Sequence, residues 1–244
     1  MPNISTPKEI KQLLGPLLTA KRRKRIAQIL KERTRYVTLV LDDLYHQHNM
    51  SAVVRSCEAF GFQDLHVIEI ENKFMPNQGV AMGAQQWVTI FRHNSVSECI
   101  SSLRQTGYRI FAADPPEKAV ATKEKAAITI YDLDLKSGPV AIVLGKELDG
   151  LDDIIRSQCH GVVYIPLKGF TESLNVSVTA ALFLYHLRQK LKDISKEKWR
   201  LPSNYKEELE ALWYIHSLKR GRQILEKLIK RKDQIKQLRQ KGAS

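Results

Sequence analysis

Cysteine is scarce in this chain of 244 residues: Cys57, Cys99 and Cys159 are widely spaced and odd in number. That set fits neither a disulfide framework nor a zinc motif and reads as reduced thiols of a cytoplasmic protein. A membrane-spanning run is missing as well. The longest charge-free stretch of the apolar C-terminal half, 173–187, contains Asn, Ser, Thr and His, and is too short and too polar to cross a bilayer. The N-terminus, MPNISTPKEIKQLLGPLL, lacks a compact apolar segment with a cleavage site, so export is not expected. Internal repeats and low-complexity linkers are absent too. Apolar residues still make up 43% of the chain, enough to bury a core and exclude wholesale disorder. The length admits one α/β domain with extensions, or two small domains.

Negative charge is short at both ends. Residues 1–35 hold ten Lys/Arg against two Glu, and residues 186–244 hold seventeen basic against seven acidic side chains. The segment between them carries a net charge of −5, within a total of +13. A mildly acidic core with two basic ends points to a polyanionic partner, nucleic acid first, because each neutralised phosphate releases condensed counterions. A solvated helix face that aids solubility is the plain alternative. A membrane surface fits less well, since neither end joins its charge to a strong Trp/Phe face.

Hydrophobic periodicity gives the elements. KRRKRIAQILKERTR, residues 21–35, places Ile26, Ile29 and Leu30 at helical spacing among basic residues, a basic amphipathic helix. Strands are expected at 36–41, 65–70, 109–113, 140–144 and 162–165. Helices are expected at 52–60 after Ser51 and ending at Gly61, at 96–106, near 152–159, and from Leu174 onward. Strands alternating with helices make a mostly parallel α/β sheet with helices on both faces. From Tyr205 a helical stripe runs through Leu209, Trp213, Leu225 and Ile235, broken or kinked at Gly221.

Three segments stand apart from ordinary core. His48–Arg55, HNMSAVVR, sets Asn49 at a strand-to-helix loop and Arg55 about a turn into an otherwise apolar helix, where a guanidinium needs an anionic partner. Glu58, three residues on, is the plain candidate. IVLGKELDG, 142–150, is a buried strand opening into a charged, Gly-rich loop. IPLKGFTESLNVS, 165–177, is a strand, a loop and a helix start, with Ser173 as the expected N-cap and Asn175 left unexplained by capping. Two other patterns fail. Gly138 to Lys146 mimics a phosphate loop, but six residues separate the glycines and Glu147 replaces the Ser/Thr. His46 and His48 lack a third ligand at zinc-like spacing, so no metal is expected.

In this order and spacing the three segments resemble the motifs of the SpoU/TrmH branch of the SPOUT superfamily, AdoMet-dependent RNA ribose 2′-O-methyltransferases. HNMSAVVRSCEAFGF at 48–62, IVLGKELDGL at 142–151 and IPLKGFTESLNVSVTAAL at 165–182 carry the resemblance. It implies a C-terminal trefoil knot and an obligate homodimer whose active sites draw on both subunits. It implies a methyltransferase domain over 36–190 between basic helical extensions, 1–35 and 191–244. Carried over by position, Asn49, Arg55, Glu147, Ser173 and Asn175 are the catalytic set. Ala113, Leu144, Gly145, Ile165, Leu167 and Leu174 form the AdoMet pocket, in keeping with glycine and apolar strand ends that let backbone approach an adenine. Thr171–Glu172 stands where many tRNA-modifying members have Val–Gln, and Phe170 where they have Met.

Methyl transfer from AdoMet needs no metal, but a ribose 2′-OH is a poor nucleophile. The family proposal makes Arg55 the base. A guanidinium pKa above about 12 argues instead for a cation that clamps phosphate and stabilises the developing oxyanion. Both roles remain open here. RNA is the expected partner, with Lys21, Arg22, Arg23, Lys24, Arg25, Arg35, Lys219, Arg220 and Arg222 as candidate contacts. Only about 35 residues precede the first strand, a layout similar to the tRNA branch that methylates a D-loop guanosine. A ribosomal RNA target and a non-catalytic RNA-binding factor are the alternatives.

Overall fold

Parallel strands buried on both faces need near-continuous apolar runs, and the chain supplies them at the centre of one sheet. The computed structural model describes residues 6–117, 127–146 and 150–241. Its strands are β1 (Val37–Asp42), β2 (Asp64–Ile68), β3 (Thr89–His93), β4 (Arg109–Ala113), β5 (Ala127–Thr129), β6 (Val140–Leu144) and β7 (Gly161–Tyr164). They align as β3-β2-β1-β6-β4-β7-β5, every pairing parallel. All residues of central β1 and β6 are buried. The edge strands β3 and β5 are mostly half-buried, and the sequence pattern did not announce them.

The helices described are α1 (Pro7–Leu14), α2 (Ala20–Glu32), α3 (Gln47–Phe60), α4 (Gln78–Ala81), α5 (Val96–Gln105), α6 (Asp153–Gln158), α7 (Val176–Lys190), α8 (Lys196–Trp199), α9 (Ser203–His216) and α10 (Gly221–Lys241). None of them is long and apolar enough to cross a membrane. α3 and α7 pack together on one face of the sheet, burying Val53, Cys57, Phe183 and Leu187 against Leu39, Leu41 and Ile142. On the other face Cys99, Ile100 and Leu103 of α5 and Ile155 of α6 meet Val40, Ala112 and Val143. Complete burial of each Val, Leu, Ile or Phe among them contributes on the order of 1.5–3 kcal/mol.

Two helix starts differ from expectation. α3 begins at Gln47 after an extended His46, five residues before the expected start, so Asn49 lies in its first turn and not in a loop. α7 begins at Val176, capped by Asn175, whose Oδ1 accepts the Ser177 N–H at 2.8 Å. Asn175, and not Ser173, therefore meets the orphan N–H groups.

The chain divides into two compact units, 33–200 and the combination of 1–32 with 201–244. Most of each basic end, read separately from the sequence, thus lies in one shared unit, while 33–35 and 186–200 belong to the other. Within it α1 and α2 pack on α9, with Leu14 and Trp213 buried and Lys11 Nζ 2.9 Å from Glu210. The N-terminal end forms two helices where one was expected, separated by the Gly15–Leu17 turn. The expected break at Gly221 is present: a Cβ there would lie 2.0 Å from the Ile215 carbonyl oxygen.

Candidate active site

The register sets Leu41 beside Leu144, Leu144 beside Ala113, and Ala113 beside Val163. The C-terminal ends of β1, β6, β4 and β7 consequently stand in a row, and the three singled-out segments leave from that edge. In parallel α/β sheets, ligands bind in the crevice outside these carboxyl ends.

The first and third segments meet. Asn49, 6% exposed, accepts a hydrogen bond at its Oδ1 from Asn175 Nδ2 at 3.2 Å. Asn175 Oδ1 simultaneously accepts from the Ser177 hydroxyl at 2.6 Å. One amide side chain caps α7 and ties it to the first turn of α3. Ser173 is exposed beside this cap, and Leu174 is half-buried.

Arg55 departs from expectation. It is exposed, on the α3 stripe that includes His48, Ala52 and Ala59, and makes no ion pair or hydrogen bond among the described residues. Glu58 bonds instead to the fully buried Arg33 at 2.8 Å. The structure therefore joins Asn49 to Asn175 and leaves the Arg55 cation facing solvent.

In the second segment, Lys146 and Gly150 exchange backbone hydrogen bonds of 3.1 and 3.2 Å, pinching the loop shut. A Cβ on Gly145 would lie 2.4 Å from the Gly150 carbonyl carbon, so only glycine fits. Glu147 lies outside the described residues. Lys146 faces carboxylates. Burial pulls its pKa down, but Asp152, at 3.7 Å, together with Asp42, Asp43 and Glu71 raises it overall. Asp42, at the end of β1, is 1% exposed and neither carboxylate oxygen has a hydrogen-bond partner among the described residues. Burial pushes its pKa up to about 6, against the pull of Lys146. Asp42 directly follows the strand expected at 36–41, and an acid closing an apolar run was the available signal.

The positions implied for a cofactor share this edge. Ala113 and Gly145 are half-buried, Leu144 is buried, Ile165 packs on the core from just beyond β7, and Leu167 is 37% exposed. Small or backbone-only groups beside half-exposed aliphatic surface suit a flat purine.

The basic candidates divide in two. Lys21, Arg22, Lys24, Arg25, Lys219, Arg220 and Arg222 are exposed, although Arg22 also donates to the Ser217 hydroxyl at 3.0 Å. Arg23 donates to the Gly15 and Leu18 carbonyls at 2.5 and 2.6 Å, and Arg35 pairs with the buried Asp64, so both have structural engagements.

A separate cluster joins His66, His93 and Cys99, whose donor atoms lie within 4.8 Å of one another. The two imidazoles hydrogen-bond at 3.0 Å, and burial holds His66 down to about 3 and lowers His93. His46, extended just before α3, and His48, in its first turn, are exposed and join no third ligand among the described residues.

Comparison with known proteins extends this picture. Residues 36–185 match the model of the SpoU rRNA Methylase family. A tRNA (guanosine(18)-2′-O)-methyltransferase of Borreliella burgdorferi is 32% identical over 89% of this chain and 94% of its own length. A protein of the same name from Thermus thermophilus is 29% identical over 80% of this chain and 96% of its own. Among solved structures, the TrmH/SpoU tRNA modifying enzyme of Aquifex aeolicus superposes with a TM-score of 0.69 at 25% identity, covering 82% of this chain and 98% of that one.

Proposed function

Because the chain belongs to the SpoU rRNA methylase family, we propose that it is an AdoMet-dependent methyltransferase acting on a ribose 2′-OH of RNA, with a D-loop guanosine of tRNA as its target. The observation that carries this reading is the meeting of Asn49 and Asn175 at the strand edge where β4, β6 and β7 end. Relatives named for guanosine methylation in tRNA are matched over nearly their full length, which favours tRNA. Ribosomal RNA, named in the family's description, is the second reading.

Ala113, Gly145, Ile165, Leu167 and Leu174 would hold AdoMet, which supplies an activated methyl group that an oxygen nucleophile takes in one displacement without a metal. The remaining work falls to this chain's side chains. Asn175, capping α7 while bonded to Asn49, fixes the ribose-side loop against α3. Arg55, exposed and with no side-chain partner among the described residues, is available to clamp a phosphate and stabilise the oxyanion that develops at the 2′-oxygen. Ser173, exposed beside the cap, orients the ribose, and Glu147 fixes Arg55 or a side chain of a second subunit. The exposed basic residues near 21–25 and 219–222 bind the RNA backbone and make that binding fall with salt.

A homodimer belongs to the same reading. Val178, Leu182 and Tyr185 form one uncharged stripe of α7, between 40 and 54% exposed, and the Tyr185 ring meets Phe60 of α3 edge-on at 5.9 Å. A second copy covering this stripe would take its apolar surface out of water.

Calorimetry with AdoMet and a transfer assay on RNA test the proposal together. The wild-type chain is expected to bind AdoMet. Arg55→Ala is expected to retain that binding while losing transfer by on the order of 10²-fold or more. Wild-type turnover in the variant would remove Arg55 from the chemistry. No AdoMet binding by the wild-type chain would turn the reading to a non-catalytic RNA-binding protein.

A further inference from the structure

One buried charge has no part in the chemistry above. Arg156 on α6 is 6% exposed, and a guanidinium at that depth needs its N–H groups answered. All three nitrogens are: Nε donates to Asp114 Oδ2 at 2.5 Å, Nη1 to Asp153 Oδ1, and Nη2 to the Leu151 carbonyl oxygen. These partners belong to different segments. Asp114 directly follows Ala113 at the end of β4, and its own N–H reaches the Val163 carbonyl of β7 at 3.3 Å. Leu151 closes the pinched loop that leaves β6. The two segments are neighbours: a Cβ on Gly150 would lie at ordinary contact distance, 4.0 Å, from Asp114 Oδ1.

We propose that Arg156, through Asp114, is a positioning residue of the cofactor pocket: it ties the loop after β4 to the loop after β6 and so sets the width of the slot between them. The inference rests on the AdoMet reading above. Its physical basis is that a buried ion pair contributes little net stability compared with well-packed apolar groups. What the planar fork adds is direction, since three fixed N–H vectors hold two carboxylates and one backbone carbonyl in one arrangement. A lysine ammonium at this depth could keep the charge but not all three directions. Asp153 is 85% exposed, so the buried Asp114 and the Leu151 carbonyl carry the tie.

The test compares AdoMet binding by calorimetry in the wild type, Arg156→Lys and Asp114→Asn, with circular dichroism and tRNA binding measured on the same samples. Both variants are expected to remain folded and to bind tRNA as the wild type does. Their AdoMet Kd is expected to rise roughly tenfold or more, with the loss in KM for AdoMet and not in kcat at saturation, because a displaced pocket wall weakens binding alike in the ground and transition states. Folded variants with a Kd within about twofold of the wild type would overturn the inference, since twofold lies well below the 1.4 kcal/mol of a tenfold change. Should neither variant fold, hydrogen exchange on the wild type decides. AdoMet is expected to slow exchange in both the 111–114 and the 150–156 segments, and protection of only one would overturn the tie. Failure of the wild type to bind AdoMet at all would be a failure of the cofactor reading instead.

Discussion

Asp42 ends β1 with a carboxylate that is buried, unbonded among the described residues and lifted in pKa to about 6 by that burial. The folded chain therefore holds this proton more tightly than the unfolded chain, whose carboxyl titrates near 3.8. Deprotonation thus favours the unfolded state, and this group's contribution falls as pH rises from about 4 through about 6. Asp42→Asn is expected to stabilise the protein by roughly 1–3 kcal/mol near pH 8 and to converge with the wild type near pH 4 in urea titrations. A difference that does not change with pH would mean that Asp42 ionises without cost. Arg55 shows where single-residue reading ran out. Val53, Val54 and Phe60 made its helix look apolar all round, whereas Arg55 shares a face with His48, Ala52 and Ala59, small or polar residues that leave it in solvent. Glu58 was the plain candidate for its partner, but three-residue spacing cannot reveal that a buried Arg33, 25 positions upstream, has the stronger need.

At the scale of elements, β1, β4 and β6 were legible because a central parallel strand is one apolar run with few ways to be anything else. β3 and β5 are edge strands and only partly buried, so their patterns carried no such run. Helix starts were the weaker reading. Ser173 and Asn175 both carry side chains that can cap, and which one does so depends on where the chain first turns helical, a choice made by the packing of α7 on α3. The cap and the tie to Asn49 can be separated. Asn175→Asp keeps the acceptor for the Ser177 N–H but loses the Nδ2 donor to Asn49, while Asn175→Ala loses both. Asn175→Ala is expected to lower stability by about 0.5–2 kcal/mol and Asn175→Asp to leave it nearly unchanged, with methyl transfer impaired in both. Full activity in Asn175→Asp would show that the Asn49 tie does not serve catalysis.

Over the whole molecule, the charge division into two basic ends was legible by counting, but their union in one unit was not. That union rests on contacts such as Lys11 with Glu210, nearly 200 residues apart, which no local pattern encodes. Nor does any periodicity state what covers Val178, Leu182 and Tyr185. If a second copy does, Leu182→Glu buries a charge in an apolar interface, and light scattering is expected to show a dimer for the wild type and a monomer for the variant. A wild-type monomer, or an unchanged dimer in the variant, would remove this stripe from the interface. The central claim concerns the product. Labelled AdoMet should be offered with unmodified tRNA and ribosomal RNA transcripts, and the methylated nucleotide mapped by nuclease digestion and mass spectrometry. The account predicts one 2′-O-methylated guanosine in the tRNA D-loop. Label confined to ribosomal RNA, or a methyl group on a base instead of a ribose oxygen, would contradict it.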